Sequence, residues 1–138
     1  MKPPKIETTK HRGDIGETAA AKHLSKKGFR IRERNVHLSH YEIDIVAENR
    51  DFIVFAEVKS RTVPYLTKEG ESPFAITPAM AVTKEKQRKL IAAARMYLGR
   101  HPCNKQPRLD VIEVYLQENH HALKVLKIHH IENAFGNY

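Results

Sequence analysis

Between Glu42 and Lys59 the chain carries two apolar runs, Ile43 to Ala47 and Phe52 to Val58, each interrupted by one carboxylate, Asp44 or Glu57. The spacer Glu48-Asn49-Arg50-Asp51 has the composition of a tight turn, so the segment predicts a β-hairpin. A turn centred on Asn49 and Arg50 would pair Val46 with Ile53, Asp44 with Phe55 and Glu42 with Glu57. Asp44, Glu57 and Lys59 then share a face with Val46, Ile53 and Phe55. The reverse face holds Ile43, Ile45, Ala47, Phe52, Val54, Ala56 and Val58. Strands apolar on both faces belong inside a sheet covered on both sides. Ionised carboxylates in such a layer are costly unless a cation meets them.

The remaining chain supplies the covering layers. Gly13 and Asp14 offer a helix start and Gly28 a stop, and Glu17, Ala20, Ala21 and Leu24 fall on one face of the helix between. Phe29 to Val36 reads as a strand at or near a sheet edge, with Arg30, Arg32 and Arg34 on its wet side. Residues 62–79 contain Pro64, Gly70, Pro73 and Pro78 and read as a long loop. A helix over Thr83 to Gly99 presents Leu90, Ala93, Ala94 and Tyr97 on one face, and Leu109 to Leu116 and Ala122 to His130 read as two further strands. The expected fold is α/β in the order αβββαββ, a single domain over residues 13–138 behind a flexible basic leader, residues 1–12. Its third strand, second helix and fourth strand are expected to form a right-handed crossover.

The 138 residues suffice for one core without disulfides, and the single Cys103 cannot form an intrachain bridge or a Cys-rich zinc site. No apolar run approaches a membrane span and the first residues lack an apolar signal core, so the sequence predicts a soluble, cytoplasmic protein with no membrane partner. Lys and Arg number 24 against 16 Asp and Glu, a formal charge of +8, which points to an acidic partner such as nucleic acid.

Magnesium and manganese prefer oxygen ligands, and phosphodiester hydrolysis uses such an ion held by convergent carboxylates. In the predicted register Asp44 and Glu57 are diagonal neighbours, ~7–8 Å apart by backbone position, which side chains can narrow around one ion. Lys59 points the same way and can orient a nucleophile, while Glu17 can complete the ligand set from the helix above. A lone Glu-x-Lys is commonplace on an exposed strand; its weight here comes from joint placement with Asp44 and Glu17. Arg61 is a phosphate candidate because its planar guanidinium grips two oxygens. Lys84, Lys86, Arg88 and Lys89 form a basic helix surface that can meet phosphates or simply solvate. Adjacent histidines, His120-His121 and His129-His130, point to opposite strand faces and cannot readily chelate one ion. Asp110 beside Arg108 reads as an ion-pairing rather than a ligating residue.

Three motifs occur in order: Gly16-Glu17-x-x-Ala20, then Glu42-Ile43-Asp44-Ile45-Val46-Ala47, then Phe55-Ala56-Glu57-Val58-Lys59-Ser60-Arg61. Together with Ala81-Val82-Thr83, Lys86-Gln87-Arg88 and Arg108-Leu109-Asp110-Val111, the chain from about residue 12 to 116 resembles the YraN-type family of small bacterial proteins. That family looks like a branch of the PD-(D/E)XK nucleases, similar in layout to archaeal Holliday-junction resolvases. The resemblance implies a restriction-endonuclease-like core with a central mixed sheet, Glu17, Asp44, Glu57 and Lys59 as active-site residues, and Gln87 as a helix-borne auxiliary. The sequence departs from the family pattern in Tyr41 where glycine is usual, in Lys84 where proline is common, and in an elongated segment 62–79. The implied activity is structure-selective or weakly specific DNA hydrolysis with Mg2+ or Mn2+, Glu17, Asp44 and Glu57 being the metal ligands. Alternatives are a nucleic-acid-binding module of the same fold without turnover, or a protein-binding adaptor in DNA processing. DNA versus RNA, and homodimer versus monomer, stay open at this level.

Overall fold

The computed structural model describes residues 9–63, 83–119 and 122–135. They form α1 (Thr9–Lys26), β1 (Arg30–Leu38), β2 (Tyr41–Glu48), β3 (Phe52–Val63), α2 (Lys84–Arg100), β4 (Gln106–Asn119) and β5 (Ala122–Ile131). The start of the basic leader, nearly all of the expected loop over 62–79, and His120 and His121 lie outside the described residues. One five-stranded sheet runs β1-β2-β3-β4-β5 and is mixed: β3 and β4 are parallel, every other pair antiparallel.

The helices cover opposite faces. Ala20, Ala21 and Leu24 of α1 pack with Ile45, Ala47, Val54, Ala56, Ile112 and Val114. Leu90, Ala93, Ala94 and Tyr97 of α2 pack with Val46, Ile53, Phe55 and Leu109. α1 starts at Thr9, four residues earlier than the Gly13 signal indicates, and stops where Gly28 takes a left-handed φ of 95°. α2 is capped by Thr83, whose hydroxyl accepts from Lys86 N at 3.1 Å. No helix among the described residues is long and apolar enough to cross a membrane.

Two expectations are corrected. The β2–β3 hairpin pairs Val46 with Phe55 and Glu48 with Ile53, a shift of two residues from a turn centred on Asn49 and Arg50. The cause is the Asn49 side chain, whose oxygen accepts from Asp51 N at 3.0 Å and Phe52 N at 2.8 Å while Asn49 N donates to Phe52 O. This Asx arrangement moves the turn centre to Arg50 and Asp51. An even shift leaves each side chain on its expected face, with one exception. Ile43 packs on the α2 side while Ile45 packs on the α1 side, and beside them on β1, between Arg34 and Val36, Asn35 adopts a left-handed φ of 52°.

The arginines of β1 are also not uniformly wet. Arg30, Arg32 and Lys105 surround the buried Glu48, and Arg34 reaches Glu17. A register irregularity between Ile31 and Glu33 separates the two sets, sending Arg32 over the Tyr97 ring and Arg34 to the α1 side.

The approach of α1 to β3 is set by Gly16. A Cβ there would lie 1.8 Å from Ser60 Oγ and 3.1 Å from Ser60 Cβ. The hydroxyl can rotate away; the Ser60 Cβ cannot. Overpacking of ~1–3 kcal/mol should outweigh the ~1 kcal/mol that alanine gains over glycine within a helix. Gly16→Ala is therefore expected to lose about 1 kcal/mol in denaturant unfolding, and adding Ser60→Ala, which removes the Oγ but keeps the Cβ, should recover only part of it. A Gly16→Ala protein as stable as the parent would show that this contact does not set the helix position.

Candidate active site

β2 and β3 are laddered from Glu48 and Ile53 to Ile45 and Ala56, and there the ladder stops. The next inward donor of β3, Val58 N–H, is taken by Asp44 Oδ2 at 2.8 Å. A side-chain carboxylate thus satisfies a backbone group where the strands separate, and Asp44 occupies the fork. It borders a hollow on each face of the sheet. The hollow on the α1 side, about 420 Å³, is lined by Glu17, Asp44, Ser60 and Thr62 and roofed by Arg12 and Gly13. The one on the α2 side, about 170 Å³, is lined by Tyr41, Asp44, Glu57 and Lys86 among others. A larger groove of about 570 Å³ between α1 and β5, with Ile15, Ala19, Val125 and Ile128 on its walls, lacks this carboxylate–lysine chemistry.

The four residues singled out from the sequence gather at the fork without sharing one concavity. Glu57, 5% exposed, holds Lys86 Nζ at 2.6 Å and Lys59 Nζ at 3.6 Å. Glu17, 7% exposed, accepts from Asn35 Nδ2 at 2.9 Å and Arg34 Nε at 3.1 Å on the other side of the sheet. Asp44 lies between and feels both charges. Burial first, then the Glu57 charge, with Glu17 and Glu42 adding, raises its pKa to about 7 against the Val58 hydrogen bond, which lowers it. Burial, with Lys86 alongside, pulls the Lys59 ammonium below the usual lysine range, although Glu57 opposes this. Lys86 shifts the other way: burial lowers it, but its bond to Glu57 and the charges of Glu57 and Asp44 win.

Among the described residues, no three His, Cys, Asp or Glu side chains stand close enough to share one ion. Magnesium does not require three, since it commonly binds through one or two carboxylates and completes its shell with water and substrate oxygens. Asp44 and Glu57, two adjacent carboxylates that a cation would relieve of their mutual repulsion, fit that mode. Glu17 does not join them as a ligand in this arrangement: its carboxylate is engaged by Arg34 and Asn35, and it acts on Asp44 through its charge.

The basic residues divide. Lys86 is not simply a surface contact for phosphate but the nearest cation to Glu57. Lys84 and Arg88 are exposed on α2, and Gln87 is half-buried in its first turn. Arg61 Nε lies 2.5 Å from Glu113 Oε1, a carboxylate wholly buried on β4 that sequence reasoning passed over. Asn35 was also missed; an asparagine in a strand pattern is a known carrier of left-handed backbone and was the available signal. Asp110 is an ion-pairing residue, gripped by Arg108 through two 2.9 Å bonds and by His130 Nε2 at 2.6 Å. His130 in turn meets His23 at 3.1 Å, which ties the end of α1 to β5.

Fold and site together define a class: a small α/β protein whose mixed sheet splits around a half-buried aspartate, with a glutamate and two lysines beside it. The chain belongs to the family described as Uncharacterised protein family UPF0102, the YraN-type family, which it matches over residues 16–114. It is 41% identical over 124 residues to a UPF0102 protein of Caldanaerobacter subterraneus, covering 89% of this chain and 93% of that one. A UPF0102 protein of Clostridioides difficile is 41% identical over 127 residues, covering 91% and 97%, and one of Chlorobium chlorochromatii is 38% identical over 136 residues, covering 98% and 97%.

The raised Asp44 has a testable sign. The folded state holds this proton up to about pH 7, whereas the unfolded chain releases it near 3.9. Stability should therefore fall as pH rises from about 4 to about 7, by ~1.4 kcal/mol per unit of pKa elevation, and show no further Asp44 contribution above that. Asp44→Asn, whose amide oxygen can still accept from Val58, should remove this slope, and Glu57→Gln should move the Asp44 midpoint downward. Carboxyl-carbon NMR titration and unfolding at pH 4.5 and 7.5 measure both. An Asp44 midpoint near 4 would refute the arrangement.

Proposed function

We propose that this protein is a metal-dependent nuclease acting on DNA, with a restriction-endonuclease-like core of the PD-(D/E)XK type. The observation that carries the reading is the pairing of Asp44 and Glu57 at the strand fork, two partly or wholly buried carboxylates with Lys59 beside them. Such charges are retained where a cation or a reaction makes use of them. Bound by Asp44 and Glu57, Mg2+ or Mn2+ would supply Lewis-acid polarisation of the phosphoryl group.

The chain's own residues would do the rest. Lys59, 3.6 Å from Glu57, can orient the attacking water. Lys86 carries positive charge toward the phosphate as the reaction develops. Glu17 holds Arg34 and Asn35 in place and keeps the fork acidic. The basic excess over the whole sequence supplies non-specific attraction to the nucleic acid backbone, so binding should weaken steeply with salt.

A second reading, a nucleic-acid-binding module without turnover, is favoured by one observation. Lys86 and Lys59 already compensate Glu57, and Arg34 compensates Glu17, so much of the site's charge is neutralised internally. Glu57→Gln separates the two readings. In the nuclease, magnesium should raise the parent's melting temperature, with ~2.7 kcal/mol expected at a hundredfold excess over Kd. The Gln variant should lose that gain and cleave at least tenfold more slowly, a loss of ~1.4 kcal/mol or more in the barrier. The assay is thermal unfolding in chelator and in magnesium, alongside cleavage of branched, duplex and single-stranded DNA. Equal magnesium responses and equal cleavage by the two proteins would remove Glu57 from the chemistry; magnesium-dependent binding without cleavage by either would leave the non-catalytic module.

A further inference from the structure

The hollow on the α2 side of the fork has two unlike walls. One is Tyr41 with His40, presented by the β1–β2 connection, where Ser39 takes a left-handed φ of 58° and Leu38 pairs with Tyr41. The other is Lys86 and Lys89, one turn apart on α2, above Leu90. Asp44 and Glu57 form the inner end. His40, Tyr41 and Lys89 lie outside the set of residues proposed for hydrolysis.

We infer that this hollow is a subsite for a single unpaired nucleotide next to the reacting phosphate, and that the substrate is DNA with a single-stranded or splayed end. The inference rests on the nuclease reading and adds the substrate class to it. Size argues first. About 170 Å³ lies below the ~300 Å³ from which ordinary small-molecule pockets begin, and it suits one base rather than a stacked pair. A base kept in a duplex cannot enter without leaving its partner.

Chemistry argues second. An aromatic ring accepts any base face by stacking, whatever the sequence, and two ammonium groups opposite it accept the phosphate of the same nucleotide. Glu42, which lines the hollow beside Tyr41, repels a phosphate and so favours its placement on the lysine wall. A nucleotide seated this way has its phosphate directed toward Asp44 and Glu57, where the reaction would occur.

The experiment is fluorescence anisotropy of the full chain with Ca2+ in place of Mg2+, using a blunt duplex and the same duplex with a five-nucleotide single-stranded extension. Tyr41→Ala should weaken binding of the extended DNA about tenfold, the equivalent of ~1.4 kcal/mol and within the range for loss of one base stack. Binding of the blunt duplex should stay within twofold of the parent. Tyr41→Phe, which keeps the ring and loses the hydroxyl, should match the parent on both DNAs, and 2-aminopurine at the end of the extension should be quenched by the parent and by Tyr41→Phe only. Equal weakening of both DNAs by Tyr41→Ala, or of neither, would overturn the subsite. The nuclease reading is judged separately by the magnesium response of Glu57→Gln, so either can fail alone.

Discussion

One hydrogen bond organises the site: Val58 N–H donating to the Asp44 carboxylate rather than to a strand carbonyl. In a continuous ladder β2 and β3 would leave no space between them. Where a side chain stands in for backbone, the strands diverge, hollows open on both faces, and a carboxylate is held inside the sheet. Its proton affinity is raised because burial and the neighbouring Glu57 and Glu17 charges outweigh that one donor. On the adjoining strand the left-handed Asn35 brings its own side chain onto Glu17. Fork, acidity and access are three results of the same local exchange.

How much of this was readable in the sequence depended on whether a signal was periodic or local. The faces of α1 and α2 followed directly from helical spacing, and Ala20, Leu24, Leu90, Ala93 and Tyr97 are buried as that spacing indicates. Alternation placed Glu57 and Lys59 on the face of Phe55. The hairpin's existence was legible but its register was not, since Asn49's side-chain capping chose the turn centre and composition alone does not reveal that. The face change between Ile43 and Ile45 was hidden because the apolar pattern of β2 is the same whichever face each residue takes. The contact of Lys86 with Glu57 was not legible for another reason: helical spacing puts its Cβ on the surface, and its long flexible side chain reaches across to Glu57.

The clamps around the site differ in kind. On the α1 side a missing side chain does the positioning, because Gly16 lets the helix settle against Ser60. At the far end of the same helix, charge does it. Asp110 is wholly buried, and the bonds from His130 and Arg108 overcome the effect of burial and hold its carboxyl below the usual range. The guanidinium of Arg108 also lies against the Phe29 and Phe52 rings, 5.1 and 5.0 Å from their centroids, so the carboxylate's partner is itself packed. Glu17 is thereby carried by a helix fixed at two points.

The parallel pairing of β3 with β4 bears on when the site comes into being. Each β3 residue meets a β4 partner more than fifty positions later in the chain, with α2 in the interval. Pairings of such long sequence separation form late, because loop closure must precede the contacts that reward it. Lys86 reaches Glu57 only once α2 has been laid across the sheet, and Glu17 reaches the fork only when α1 has docked on β3. A chain still emerging from the ribosome has the acidic residues but not their arrangement, so the fork and its lysines would come together only once the last third of the sequence, which holds β4 and β5, has been made.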